Sequence, residues 1–305
     1  VSSTPNGPRL ARALEKLDFV VGVDFYVNET TRHAHVLLPP KHVFETGSYD
    51  LVLSRFSIRN VAKYSPPIVQ TSDQTRDDWS IACELAARLR GPDVAPVRRA
   101  LLRATKNVPE RLLDVLLRTG PYRLSLRDLE RAEHGLDFGP LREGGGARVR
   151  ANLAPEPLVA DVPRIAKWVD AHRDGARDLV LIGRRHMRSN NSWLHNVPSL
   201  AKGPDRARLL VHPDDAARLG LEDGGRARIQ SRAGEAVVLV AITDDVMPGV
   251  VSLPHGFGQS VAADTLCVAG ALPGTSANVL TDEGHVEPVI GTSILTGVPV
   301  TLAPA

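Results

Sequence analysis

The chain has 305 residues, with 37 Lys and Arg against 35 Asp and Glu and a formal net charge of +2. That length accommodates two domains with cores of their own, and the near-balance of charge argues against a nucleic-acid or membrane-surface partner. Aromatic residues are scarce at 4%, while Gly (25) and Pro (23) are plentiful, which favours a loop-rich architecture over a helical bundle.

The opening residues, Val1 to Pro8, show neither an initiator Met nor a signal-peptide pattern. They read as an interior loop, so a piece of a longer chain is expected. Pro8 suits a first helical turn, and Leu10, Leu14 and Leu17 recur on one face, which predicts a helix over 8–17. Phe19 to Val23 reads as a buried strand ending at Asp24. A second apolar run, His35 to Pro39, is stopped by Pro39-Pro40, and Glu45 to Ser48 reads as a turn. Trp79, Ala82, Leu85, Ala86 and Leu89 form a helical stripe closed by Gly91-Pro92. Short apolar strands between helices predict an α/β unit over residues 1–91, part of a parallel sheet flanked by helices.

Residues 92–177 read differently. Arg and Pro rise and strand signals fade. Pro109 to Arg118 is a short amphipathic helix, and Gly144-Gly-Gly146 is a breaker. A partly helical connecting segment is expected, packed on both flanking units.

From residue 178 the pattern is β. Leu179 to Ile182 reads as a short buried strand ended by Gly183. It delivers a dense polar cluster: Arg184, Arg185, Arg188, Ser189, Asn190, Asn191, Ser192, His195 and Asn196. Planar, bidentate-capable groups at the C-terminal end of a strand suit a large, polar, anionic ligand; a solvated surface loop is the competing reading. Further strands are expected at Arg208 to Val211, Arg226 to Gln230, Ala236 to Ile242 and Val250 to Leu253. A helix at Pro213 to Leu219 should be closed by Gly220. The run Ala236 to Ile242 is apolar on both faces, which predicts burial on both. Short strands with Gly turns predict a small closed six-stranded barrel over 178–305.

Cys83 and Cys267 both read as small core residues. No Cys-x-x-Cys exists, so this chain cannot hold an iron–sulfur cluster or structural zinc through its own cysteines. Gly-x-Ser-x-Gly, Gly-x-Gly-x-x-Gly and P-loop patterns are absent, which argues against a serine hydrolase, a nicotinamide dehydrogenase or an NTPase.

Three stretches taken together resemble the C-terminal half of molybdopterin-dependent oxidoreductases of the dimethyl-sulfoxide-reductase and formate-dehydrogenase type. One is Val20-Val-Gly-Val-Asp24-Phe-Tyr-Val-Asn28-Glu-Thr30 with Ala34-His-Val-Leu-Leu-Pro39 and Glu45-Thr-Gly47. Another is Ile182-Gly-Arg184 with Pro213-x-Asp215-Ala and Leu219-Gly-Leu-x-Asp223-Gly. The last is Pro248-Gly-Val-Val with Asn278-x-Leu280-Thr281. The resemblance implies a partial doubly wound α/β domain followed by a double-psi β-barrel that binds the molybdopterin dinucleotide. It implies a bis-(molybdopterin guanine dinucleotide) cofactor carrying molybdenum or tungsten. Any iron–sulfur cluster and the metal-ligating side chain would lie in an N-terminal half of the same enzyme. The implied partners are that half, a small-molecule substrate and an electron-transfer subunit. A cytoplasmic location is expected, and any export signal would lie in the N-terminal half. No catalytic residue and no metal ligand is assigned here.

The resemblance implies cofactor-binding roles residue by residue. Asp24 would accept two hydrogen bonds from a guanine edge, against the alternative of a turn carboxylate. Asn28 stands where the family usually has Thr. Arg184 would meet pyrophosphate or guanine, against the alternative of a structural pair. Arg188 and Asn190 match positions facing one dinucleotide, where the family often has His and Ser. Asn191 and His195 are further candidates; His195 also suits a core role bonded to a carbonyl. His255, in Pro254-His-Gly-Phe-Gly258, follows a barrel strand, and Gly256 and Gly258 would let the backbone approach a pterin. Asn278 matches an Asn near the pterin. His33, His35 and His42 fall in a region that is structural in the family, and no metal site is expected there. The rival reading is a non-catalytic module that carries the cofactor or binds a protein.

Overall fold

The computed structural model describes residues 1–70, 74–89, 108–140, 152–172, 179–259, 266–272 and 274–305. The boundaries expected near 91 and 178 and the Gly144 to Gly146 breaker lie outside the described residues. The chain divides into two compact units, and they interleave in sequence. One comprises residues 1–22, 26–36 and 152–305; the other comprises residues 23–25 and 37–151.

The first helix, α1 (Gly7–Leu14), is capped by Asn6, whose side chain accepts from the Arg9 N–H, with Pro8 in the first turn. It ends before the expected Leu17 because the bonds tighten: the N–H groups of Lys16 and Leu17 reach back three residues, to Ala13 and Leu14. Among the described residues, strand β1 (Val21–Val23) pairs with β2 (Val36–Leu38) alone. A two-stranded ladder shields neither face, so Phe19 is 64% exposed and Val21 and Val23 are exposed as well. This corrects the expectation of a buried strand over 19–23.

Then come β3 (Ser48–Tyr49), β4 (Arg59–Ala62), β5 (Tyr64–Ser65), α2 (Asp78–Leu89), α3 (Val108–Thr119), α4 (Leu126–Arg131) and β6 (Leu136–Pro140). Strand β3 pairs antiparallel with β5, and β4 pairs antiparallel with β6 across a bulge between Arg59 and Val61. No parallel sheet flanked by helices forms among the described residues here. Strands of two to five residues, each with one partner, leave no shared surface for layering helices, so the expected doubly wound half is instead a mixed α/β arrangement. Its core joins Ala62 and Tyr64 to Leu113 and Leu129, with Tyr49, Leu117 and Phe138 packed against them. Residues 108–140 therefore share a core with residues 49–64. The α3–α4 corner is fixed by the Asp114 carboxylate, which accepts from the Leu126 N–H at 2.7 Å, and by a Ser125–Asp128 capping box.

After α5 (Glu156–His172) comes the barrel: β7 (Leu179–Arg184), β8 (Arg208–Val211), β9 (Arg226–Gln230), β10 (Glu235–Ile242), β11 (Val250–Pro254) and β12 (Val298–Pro304). The order around it is β10-β8-β11-β7-β12-β9, and it closes, as expected, with six strands. Closure leaves no edge strand, and alternation sends one row of side chains inward. Leu209, Val211, Ala227, Ile229, Val240 and Val251 are fully buried in that core.

Three details differ from the sequence reading. Gly183 does not end β7; it pairs with Leu253, and the strand continues to Arg184 opposite Pro254. Only one face of β10 is deeply buried: Val238 and Val240 point inward, while Val237 is 47% exposed. Cys83 is buried as expected, but Cys267 opens the short helix Cys267–Ala271 and is exposed.

The helix Pro213–Leu219 runs to the left-handed Gly220 (φ 66°). Its buried Asp215 accepts from the Gly249 N–H at 2.6 Å and from Arg218 at 2.7 Å, so it pins the turn into β11. Asp223 accepts from the Ile242 N–H at 2.9 Å, tying the Gly224-Gly225 turn to the end of β10.

Candidate functional site

Strands β7 and β11 are parallel neighbours, so their C-terminal ends lie side by side. The loops that follow them, 185–197 and 255–259, therefore leave the barrel at one rim. The His255 N–H donates to the Arg184 carbonyl at 2.9 Å where they diverge. A third loop, 274–284, completes this rim.

Glycines set how closely the three loops approach. Gly256 (φ 93°) sits so near the first loop that a Cβ would fall 1.9 Å from the Asn191 carbonyl oxygen. Gly258 (φ 97°) is comparably tight, with a Cβ falling 2.7 Å from the Ser276 nitrogen. These positions were expected to let a ligand approach the backbone. The space is taken by the protein's own loops, and the glycines serve to bring those loops together.

Within the first loop, Asn190 and Asn191 are consecutive left-handed residues (φ 41° and 63°), a conformation Asn tolerates better than most side chains. The Asn191 carboxamide oxygen accepts from Arg185. Its carbonyl takes the ring Nε2 of His195 at 3.1 Å. A carbonyl only accepts, so Nε2 carries the proton. The His195 ring meets Phe257 edge-on at 4.4 Å. Burial holds its pKa below the usual histidine value despite the opposing carbonyl, and His186 nearby adds to the depression. The candidate His195 is thus a bridge between the first two loops.

Arg184 has a different environment from the one expected. Its guanidinium donates to the Ser252 carbonyl at 2.6 Å, the Arg206 carbonyl at 3.1 Å and the Arg208 carbonyl at 2.7 Å. It is half-buried, and desolvation lowers its pKa. The fork spans the backbones of β11, β8 and the segment entering β8. Arg188 is exposed and donates to the Lys202 carbonyl at 3.3 Å.

A cleft opens between the first loop and residues 200–206. Leu194, Leu200 and Phe257 form its apolar wall, with His186, Arg188, Asp205 and Arg206 at its polar side. Burial lowers the His186 pKa first, and Arg206, Arg188 and Arg184 lower it further, in that order. Burial leads that direction; the three arginines make the local field positive and suited to anions. Sequence reading missed His186, Arg185, Arg206 and Phe257 as site residues. Arg185 and His186 lie within the polar cluster it marked, whereas nothing local distinguishes Arg206 or Phe257.

His255 is half-buried, and its pKa is lowered by burial and then by Arg185. Asn278 is 2% exposed. It donates to the Ser2 carbonyl at 2.7 Å and accepts from the Thr281 hydroxyl at 3.2 Å. Asn28 belongs to the barrel unit but caps the turn Thr31–His33, its side chain accepting from the N–H groups of Thr30 and Thr31. Asp24 belongs to the other unit, where its carboxylate accepts from the Phe25 N–H at 2.8 Å. Arg184, Arg188, Asn190, Asn191, His195 and His255 lie at or just beyond the C-terminal ends of β7 and β11; Asn278 lies in the loop 274–284, and Asn28 sits in a turn of its own. The three early histidines have local partners. His35 accepts from the Val20 N–H and stacks on Phe19, His42 caps the turn Val43–Glu45, and His33 meets Arg32.

Comparison with known proteins places these features in context. The family profile described as molydopterin dinucleotide binding domain matches residues 179–299, and the molybdopterin oxidoreductase profile matches residues 1–88. The catalytic chain of a putative dimethyl sulfoxide reductase from Halobacterium salinarum is 29% identical over 270 residues, covering 83% of this chain and 31% of the relative. A tetrathionate reductase chain from Salmonella typhimurium is 40% identical, covering 80% of this chain and 30% of the relative. The chain thus spans about a third of the length of these relatives. Among solved structures, acetylene hydratase from Pelobacter acetylenicus superposes with a TM-score of 0.64 at 18% identity, over 99% of this chain and 42% of that one. That likeness concerns the fold.

Proposed function

Starting from a chain that belongs to the molybdopterin oxidoreductases, we propose that its barrel rim holds the pyrophosphate side of a molybdopterin guanine dinucleotide. One observation carries this reading. Within the region matching the dinucleotide-binding profile, the loop leaving the C-terminal end of β7, beside that of its parallel neighbour β11, presents Arg185, His186 and Arg188, and the segment entering β8 adds Arg206 across the cleft from His186 and Arg188. The donor set fits the group. A diphosphate needs several N–H donors in a positive field, and the field at His186 has that sign. A Cβ at Gly183 would meet nothing within 4 Å, so a flat ligand could lie close to β7 there.

Within this reading the barrel has double-psi topology, and the chain is the C-terminal part of an oxidoreductase that works with an N-terminal half and an electron-transfer subunit. The domains are those read from the sequence, residues 1–91, 92–177 and 178–305, in a cytoplasmic enzyme. Among the described residues, no helix is long and apolar enough to cross a membrane. When bound, the cofactor supplies two-electron or oxygen-atom transfer to a small-molecule substrate. This chain's residues bind and orient. Arg188, Arg185 and Arg206 face the phosphates. Arg184 holds the strands from which two of the loops leave. Asn190, Asn191 and His195 fix the shape of the first loop, His255 contributes at the second, and Asn278 fixes the third. Asn28 shapes the turn after Asp24. Asp24 selects guanine, because an ionised carboxylate accepts from the ring N–H and amino group together, a pair that adenine lacks.

The test is acid-released guanine nucleotide per mole of assembled enzyme. Arg188→Ala and Asp24→Ala should each lower it, by about tenfold in affinity for a lost charge-assisted contact, with unchanged circular dichroism. Full nucleotide content in both variants would overturn the assignment.

A further inference from the structure

The loop 276–284 is pinned from several sides, and one side is the first turn of the chain's own leading helix. The Glu283 carboxylate takes both the Asn6 side-chain amide, at 2.8 Å, and the Arg9 guanidinium. The Asn6 N–H donates to the Thr281 carbonyl at 3.0 Å. Asn278 and Ser276 both donate to the Ser2 carbonyl. On the opposite side Arg232 grips Asp282 in a paired contact, and Gly234 lies so close that a Cβ would fall 2.7 Å from the Val279 carbonyl oxygen.

We propose that Glu283 is a positioning residue for the cofactor rim: by fastening residues 1–14 to loop 276–284, it fixes the buried Asn278 and the edge of the site beside it. The argument is geometric. Asn278 is held by a carbonyl of the leading segment, and that segment is held by Glu283. The connection onward is steric, through Ser276 against Gly258, and then Gly256 against Asn191. Releasing Glu283 leaves the first turn of the helix held to the loop by the Asn6 N–H on the Thr281 carbonyl, weakens the hold on the Ser2 carbonyl that accepts from Asn278, and loosens the third loop where it meets the second. Arg9 and Asn6 share one carboxylate, so their effects are not additive.

The consequence for the cofactor rests on the proposed function; the clasp itself does not, and the two are read separately. Amide hydrogen exchange on residues 1–305 reports the clasp. Glu283→Ala should speed exchange of Val279 and Leu280 by about tenfold or more while leaving Val211 and Val240 in the barrel core unchanged. The Asn278 side-chain amide signal should shift in NMR. Arg9→Ala, a milder change, should do the same to a smaller degree, and adding it to Glu283→Ala should do little more. Glu283→Gln, which keeps an acceptor for Asn6, should restore part of the protection. If exchange quickens in 7–14 alone and Val279, Leu280 and the Asn278 amide do not respond, Glu283 is a surface pair and the proposal fails. Should Glu283→Ala unfold the barrel, Arg9→Ala decides by the same signals. Guanine nucleotide content of the assembled enzyme is the second arm. Loosened exchange with full nucleotide content would leave the clasp standing but sink its role at the site.

Discussion

The barrel and the unit built from residues 37–140 use similar apolar residues with opposite results. In the barrel, six strands share one closed ladder, and Leu209, Val240 and Val251 are completely buried. In the other unit, two separate antiparallel ladders cover a small core, and Leu53, Phe56 and Ile58 remain 70–86% exposed. Each barrel strand has two neighbours and shares an interior, whereas each strand of the second unit has one. The difference teaches where positional precision resides. The polar rim is carried by the part whose backbone bonds close on themselves, which suits groups that must be held within tenths of an ångström.

The largest expected effect breaks that contrast directly. Leu209→Ala should cost about 3 kcal/mol in thermal or urea unfolding, as a fully buried leucine leaves a cavity. Leu53→Ala, at an exposed position, should stay within about 0.5 kcal/mol. Similar losses at both positions would mean the two parts bury their leucines alike in solution. Next is Gly256→Ala. The added carbon would meet the Asn191 carbonyl oxygen, in a backbone conformation that alanine disfavours. A cost of about 2 kcal/mol is expected, with a shift in the fluorescence of exposed Trp193 as the first loop moves. An unaltered spectrum would show that the loops have room to spare.

The smallest effect concerns acid. Asn6 and the loop's own backbone, with Arg9, hold the Glu283 pKa at about 2 against a usual 4.5. A depressed carboxylate adds stability above its unfolded pKa and loses it as pH falls through the folded one. The clasp should therefore be intact at pH 5 and weaken between about pH 4.5 and 2. Protection of residues 7–14, taken relative to the intrinsic exchange rate at each pH, should fall across that window, ahead of the barrel strands. Unchanged protection would place the carboxylate outside the contact.

Much of the barrel was legible because its signals are local and consistent. Alternation in Arg226 to Gln230, Pro at a first turn, Gly at a helix end and Asp-Gly turns all name the same elements. The extent of β7 was missed because Gly183 reads as a stop, while β11 supplies the pairing, Leu253 opposite Gly183 and Pro254 opposite Arg184, that carries the backbone through it. In the first ninety residues, apolar runs alone cannot report how many partners a strand will find, so Phe19 to Val23 read as buried. In the site, residue type marked the polar cluster but not the direction of each side chain. Arg184 has the composition of an anion ligand and the geometry of a brace. Arg206 and Phe257 enter only because other segments fold against them.

The contact between Asn6 and Glu283 spans 277 positions along the chain. On the ribosome the leading helix therefore emerges long before the carboxylate that receives it is polymerised. At roughly 5–20 residues per second, that interval is about a quarter to one full minute. Without that contact, an eight-residue helix has too few turns to persist in water. Its capping residue Asn6 must wait for its long-range partners until the distant loop has been translated.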